Sequence, residues 1–281
     1  MDGNSVNLTR GGGPSPIIVG GSRGSGTRLI RSLLAESNVF MGYDDNDSGD
    51  AHVFSLLLQR YINPILQHTH TLDYSLSQLS QNLRETLLTE FSTAARHHAI
   101  LCPPSAIQWG WKNPRCMFIL PVLQEIYPQM RFIHVVRDGY DMAFSSNQRQ
   151  SQKHYYALFD EARANMTCED HAKFWARVNT EVLRWTRREL GDRCLTVRLE
   201  DMCDQPEKAI QRLLEWAGLP VQNVGTLRSL VKSPQSLGRW RHQDQAVIAK
   251  LERICGEARA SFGYPSAGNI PMLVEDAPRQ A

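Results

Sequence analysis

Apolar residues follow two different periods along this chain. Short apolar runs of strand length stand at residues 17–19, 107–111, 132–136 and 194–199, while longer stretches place apolar residues three and four apart. Leu29, Ile30, Leu33 and Leu34 follow the first run with helical spacing. Leu76, Leu79, Leu83, Leu87 and Phe91 form one long stripe, with Asp73 as its candidate N-cap. Phe174, Val178, Val182 and Trp185 form another. A helical pattern over residues 53–62 is expected to stop before Pro64, because the residue ahead of a proline avoids helical backbone. Ile119, Val122, Leu123 and Ile126 predict a helix whose first turn holds Pro121 or which kinks there. Asp204-Gln205-Pro206-Glu207 reads as a helix start, with Asp204 capping, proline in the first turn and Glu207 placed for a capping box. That helix carries Ile210, Leu213 and Leu214 and ends near Gly218.

The alternation of strand, loop and helix predicts an α/β fold: a three-layer sandwich with helices on both faces of a mainly parallel central sheet. No composition shift marks an internal linker. Residues 16–270 are therefore expected to form one domain between a flexible N-terminus (1–15) and a flexible tail (271–281).

The chain has 281 residues, 42% of them hydrophobic, which suffices for a substantial core. Its net charge of +2 implies no broad nucleic-acid or membrane surface. The six cysteines show no CxxC spacing and no metal pattern, and read as reduced thiols. The first fifteen residues are polar and rich in Gly and Pro, with no apolar leader segment. No apolar run reaches bilayer length, so a soluble cytoplasmic protein is the expectation.

Two segments carry chemistry. After the run at 17–19 come Gly20, Gly21, Ser22, Arg23, Gly24, Ser25, Gly26, Thr27 and Arg28, and then the first helical stripe. Strand, glycine loop and helix hold a phosphate, because glycines let backbone approach an anion and helix-start N–H groups point at it. Gly21 and Gly26 have the spacing of a triphosphate loop, but Thr27 and Arg28 stand where Lys and Ser/Thr would. That substitution suits a smaller anion without magnesium. The second segment is the strand at 132–136, followed by Arg137 and Asp138. Arg137 lies at the carboxyl end of a strand, where open α/β sheets bind ligands. Asp138 is a candidate N-cap. Asp141, Ser145 and Arg149 stand four apart, so one helix would place them on one face. Arg137, Ser145 and Arg149 together suit a second phosphate.

As a pair these segments resemble the sulfotransferase family, whose members use 3′-phosphoadenosine 5′-phosphosulfate (PAPS). The family's first motif, binding the 5′-phosphosulfate, is matched by Ser25-Gly26-Thr27. Its second, binding the 3′-phosphate, is matched by Arg137-Asp138 with Ser145, and Arg149 stands where protein-tyrosine members have a further arginine. Val197-Arg198-Leu199-Glu200-Asp201 is similar to a strand ending in Tyr-Glu-Asp, with Leu199 for the tyrosine. Gly238, Arg239, Trp240 and Arg241 are similar to a late Gly-Arg-Trp-Arg near the adenosine. The resemblance spans residues 16–241. Most members have Lys or Arg at the place of Gly24, so here Arg23 and Arg28 supply the loop's cations.

The resemblance implies sulfuryl transfer from PAPS to a hydroxyl or amine of a small-molecule, saccharide or peptide acceptor, without a metal. It points to Lys112 as an active-site cation, with Arg115 second. Pro114 stands where cytosolic small-molecule members carry a catalytic histidine. The general base is therefore sought in the acidic stretch after the loop's helix, with Asp47 and Asp50 ahead of Asp44. Asp141 is expected to orient an arginine. His68, His70, His97 and His98 read as surface residues, His134 as a core residue, and Trp109, Trp111, Trp175 and Trp185 as core. A small-molecule or nucleoside kinase with a degenerate loop is the alternative function, and a non-catalytic nucleotide-binding protein a third.

Overall fold

The computed structural model describes residues 15–43, 46–222, 224–266 and 268. The terminal segments expected to be flexible, and Asp44, fall almost wholly or entirely outside them. The chain runs β1 (Ile17–Gly21), α1 (Thr27–Glu36), β2 (Val39–Phe40), α2 (His52–Thr69), α3 (Gln81–Ile100), β3 (Gln108–Lys112), α4 (Leu120–Ile126), β4 (Arg131–Val136) and α5 (Gly139–Ala143). It continues through α6 (Arg149–Phe159), α7 (Cys168–Glu189), β5 (Cys194–Arg198), α8 (Leu199–Asp204), α9 (Pro206–Ala217), α10 (Val224–Arg228) and α11 (Gln245–Ser261).

All five strands are parallel, in the order β2-β3-β1-β4-β5. Central β1 is buried on both faces, which is why its sequence is an unbroken apolar run. Alternation sends Ile17 and Val19 to a core shared with Leu33, Leu34, Ile210 and Leu213, from α1 and α9. Ile18 and Phe132 face the opposite core, built with Phe54, Leu58, Phe91 and Val178 from α2, α3 and α7. A third cluster joins α5, α7 and α11 around Tyr140, Trp175 and Trp240. The result is the three-layer α/β sandwich. β2 has two residues, too few for a period to register in the sequence.

Several expected boundaries move, each for a local reason. α2 continues through Pro64 to Thr69. A mid-helix proline costs about 3 kcal/mol, and here the second half of the helix buries Ile62, Ile65 and Leu66 completely. The stripe from Leu76 to Phe91 is broken into a 3₁₀ turn capped by Ser75 and helix α3 capped by Ser80. Asp73 caps nothing and instead accepts from Arg188 Nη2 at 2.8 Å. Asp204 is the last residue of α8, so its backbone is helical, whereas an N-cap needs non-helical backbone. Gln205 precedes α9 without a side-chain cap, and Glu207 pairs with Arg228 Nε at 3.4 Å.

His98 is buried rather than exposed: its Nε2 lies 2.8 Å from Gly110 O, amid the rings of Phe40, Phe54, Trp109 and Trp111. His134 is a core residue, its Nε2 lying 3.0 Å from Asn179 Oδ1, and burial pushes its pKa down to about 4. Trp109, Trp111, Trp175 and Trp185 are all core residues. All six cysteines are free thiols. Among the described residues no helix is long and apolar enough to cross a membrane.

Candidate active site

The loop after β1 is shaped by glycines that no other residue can replace without strain. Gly21 has φ 153°, and a methyl built on it would lie 2.2 Å from Val135 O on the neighbouring strand. Gly26 has φ 98°, and its methyl would lie 2.7 Å from Leu199 Cδ1. The turn closes by a bond from Ser25 N to Ser22 O at 3.1 Å. Helix α1 then starts at Thr27 with Gly26 as N-cap and no side-chain capping bond. Its first N–H groups therefore lack the partner that a Ser or Asp cap would give. Ser25 Oγ is fully buried and makes no hydrogen bond among the described residues. Ser22 and Thr27 are buried, and Arg28 is exposed beside them.

Lys112 ends β3 and is 2% exposed. Its Nζ donates to Asp50 Oδ1 and to Ser48 O, each at 2.5 Å. Asp50 is itself 3% exposed, and Arg23 Nη2 lies 3.8 Å from its Oδ2. A buried carboxylate needs such partners. An Asx turn fixes it there: Asn46 Oδ1 accepts from Ser48 N at 2.9 Å and from Asp50 N at 3.1 Å. Asp47, on the same loop, is exposed and does not line the cleft. The structure thus separates two aspartates that the sequence left equal. Arg115 is half-buried behind Pro114, donating to Ser55 O at 3.0 Å.

Arg137, at the end of β4, is 4% exposed. Nη2 donates to Asp141 Oδ2 at 2.9 Å and also to Ser236 O, and Nε reaches Asp141 Oδ2 at 3.3 Å. Asp141 also accepts from Gly238 N at 2.7 Å and Trp240 N at 3.4 Å, so one carboxylate orients the arginine and pins the later turn. Asp138 caps α5 through Tyr140 N at 2.9 Å. The shared helix face expected for Asp141, Ser145 and Arg149 does not exist, because α5 ends at Ala143 and Arg149 opens α6. Ser145 nevertheless abuts the glycine loop: its Oγ lies 3.7 Å from a methyl built on Gly24. Arg149 is exposed. Arg239 donates to Ser236 O and Phe144 O, both at 3.0 Å, and its pKa is pushed down by burial first and then by the like charge of Arg137. Trp240 is 2% exposed, with its ring 5.2 Å from that of Tyr140, so its indole is packed inward and not offered to the cleft.

These parts surround one cleft of about 580 Å³. Among the described residues its lining sets five cations, Arg23, Arg28, Lys112, Arg137 and Lys232, against one carboxylate, Asp50. Leu199, Leu230, Lys232 and Pro234 also line it, and sequence reasoning gave none of the last three a role. They lie between α10 and Gly238, in a segment with no period and no motif, so only the folded chain brings them to the loop.

Comparison with known proteins fits this arrangement. The family model described as "Sulfotransferase family" matches residues 16–223, more than half of the chain. Similar solved structures include the sulfotransferase domain from the curacin biosynthetic pathway, at 17% identity and TM-score 0.55, covering 91% of this chain and 99% of that one. The sulfotransferase domain from the Synechococcus PCC 7002 olefin synthase matches at 18% identity and TM-score 0.51, covering 90% and 95%. A sulfotransferase from Mycobacterium avium matches at 16% identity and TM-score 0.51, covering 92% and 79%. At these identities the likeness speaks to the fold alone. A search of curated protein sequences finds no match. The family model, on a fold of this kind, settles the assignment: the chain belongs to the sulfotransferase family.

Proposed function

We propose that the chain transfers a sulfuryl group from PAPS to a hydroxyl or amine of a small-molecule, saccharide or peptide acceptor. The observation that carries this is the uncapped start of α1, in a loop whose Gly24, Gly26 and Thr27 line a cleft that has, among the described residues, five cations and one carboxylate; beside it Ser25 has a buried hydroxyl without a partner among those residues. Orphan donors and excess positive charge are what a bound anion would satisfy. Ser22, Arg23, Gly24, Ser25, Gly26, Thr27 and Arg28 would surround the 5′-phosphosulfate. Arg137 and Ser145, with exposed Arg149 at the rim, would meet the 3′-phosphate. Arg137 Nη1 makes no hydrogen bond among the described residues, so it has donors to give. Gly238 and Arg239 would border the adenosine, with Trp240 supporting their turn from inside.

In the reaction a bond forms between the acceptor oxygen or nitrogen and sulfur, while the bond from sulfur to the bridging oxygen breaks. The electron pair stays on the departing 5′-phosphate. The acceptor's proton must go to a base, and Asp50 is the carboxylate in the cleft. Lys112, now on Asp50, and Arg28 both line the cleft and would offset charge on the transferring group. Such catalysis is mostly positioning and electrostatics.

The test is thermal shift with 3′-phosphoadenosine 5′-phosphate (PAP) against ATP with magnesium. A ligand at a hundred times its Kd stabilises by about 2.7 kcal/mol. PAP should therefore raise Tm by several degrees, and ATP with magnesium by less. A larger shift with ATP and magnesium would overturn the reading.

A further inference from the structure

Gln150, the second residue of α6, is 5% exposed. A buried amide is costly unless its donor and acceptor are satisfied. This one is satisfied by the backbone of the glycine loop. Its Oε1 accepts from Arg23 N at 2.9 Å, and its Nε2 donates to Gly21 O at 3.4 Å. An amide presents an acceptor and a donor side by side, which matches an N–H and a C=O two residues apart. Between them, Ser22 Oγ accepts from Asn179 Nδ2 at 3.2 Å, and Asn179 is itself fully buried. The entry of the loop is thus held from α6 and α7, 127 and 157 residues away in sequence. The other half, from Gly24 to Thr27, holds the Ser25 hydroxyl, which has no partner among the described residues, and leads into the uncapped start of α1.

We propose that Gln150 is a positioning residue. It clamps the entry of the loop so that the Ser25 hydroxyl and the first N–H groups of α1 keep their aim at the anion. This rests on the reading that the loop holds the 5′-phosphate end of PAPS.

Gln150→Met keeps the volume and removes both bonds. It should weaken PAP and adenosine 5′-phosphosulfate alike, each by about tenfold, because the defect lies at the end both ligands share. A merely structural role would lower Tm and leave the Kd of the folded protein unchanged. Gln150→Leu serves as a second variant should the first fold poorly. Hydrogen exchange without ligand gives a second readout: the Arg23 amide should exchange faster in the variants, with β1 and β4 unchanged. If the wild type binds both ligands and the variants match it within twofold, the clamp is overturned and the PAPS reading stands. If the wild type binds neither ligand, the PAPS reading is overturned and the clamp's role falls with it.

Discussion

The turn after β1 leads into an uncapped helix and keeps a buried hydroxyl without a partner among the described residues, whereas the turn after β4 engages its arginine. At the first, α1 starts at Gly26 without a side-chain cap, and Ser25 Oγ has no partner among the described residues. At the second, Arg137 is buried and held by Asp141 and Ser236. The first carries two cations, Arg23, loosely paired with Asp50 at 3.8 Å, and exposed Arg28. The second is a cation whose charge is already matched, with only Nη1 left to give. The difference suggests distinct tasks: an open donor set suits a group whose charge shifts during reaction, and a braced arginine suits recognition at a fixed distance.

The largest expected effect lies on the β1–β3 side, where chemistry is proposed. Asp50→Asn should lower kcat by about 10²–10⁴, the usual cost of a lost general base. PAP affinity should stay within a few-fold. Asp47→Asn should leave turnover nearly unchanged, since Asp47 is exposed and outside the cleft. Turnover of PAPS with a reacting surrogate phenol or sugar gives both values. Normal kcat in Asp50→Asn would move the base elsewhere and remove the division of tasks.

A second contrast lies within the loop and concerns stability. In Gly21→Ala the new methyl meets the Val135 carbonyl in the strand pair. Backbone strain and overpacking together should cost about 3 kcal/mol. In Gly24→Ala, at φ 91°, the nearest atoms are 3.7 Å away in Met142 and Ser145, so strain alone should cost about 1 kcal/mol. Urea denaturation measures both. Equal losses would mean that the turn tolerates side chains and that its shape is not dictated by glycine.

This contrast also explains what was legible in the sequence. The loop was legible because its cause is local: glycines between an apolar strand and an apolar helix. Strands with unbroken apolar runs were legible for the same reason. The place of Arg137 at a strand end was legible, as was Asp141 as an acid that orients an arginine, but Ser236 was not, because it lies 99 residues away. The burial of Asp50 and exposure of Asp47 depend on the Asn46 turn and on β3, so these two aspartates looked alike in the sequence. Gln150 carries no motif at all. His98 looked like a surface residue because histidine is polar, although it continues the spacing of Leu87 and Phe91, and the carbonyl that partners it, Gly110 O, is on another element.

On the β4 side the expected effect is smaller and selective. Removing Arg137 outright would strand buried Asp141, and breaking a buried pair costs about 3–5 kcal/mol by itself. Arg137→Lys keeps a cation beside Asp141 and loses the planar fork. PAP should then bind about tenfold more weakly, a loss of one charge-assisted contact. Adenosine 5′-phosphosulfate, which lacks the 3′-phosphate, should bind nearly as before. Calorimetry of the two ligands decides: equal losses would make Arg137 a structural brace rather than a reader of the 3′-phosphate.

The smallest expected effect is that of a chelator, and it tests whether the open side works by its own cations. A kinase site brings magnesium to offset the charge of a triphosphate and holds it with carboxylates and a hydroxyl. Here Asp50, the one carboxylate that lines the cleft among the described residues, is engaged by Lys112 Nζ at 2.5 Å. Arg23, Arg28 and Lys112 already place three positive charges around it. A divalent cation at Asp50 would have to displace Lys112 and sit among arginines, which is electrostatically unfavourable. Turnover in excess EDTA should therefore match turnover without it, and added magnesium should change the rate less than twofold. If EDTA abolished transfer and magnesium restored it, the charge would be supplied from outside the chain. The five cleft cations would then be recognition elements on both sides, and the division between an open, reactive turn and a braced, recognising one would fail.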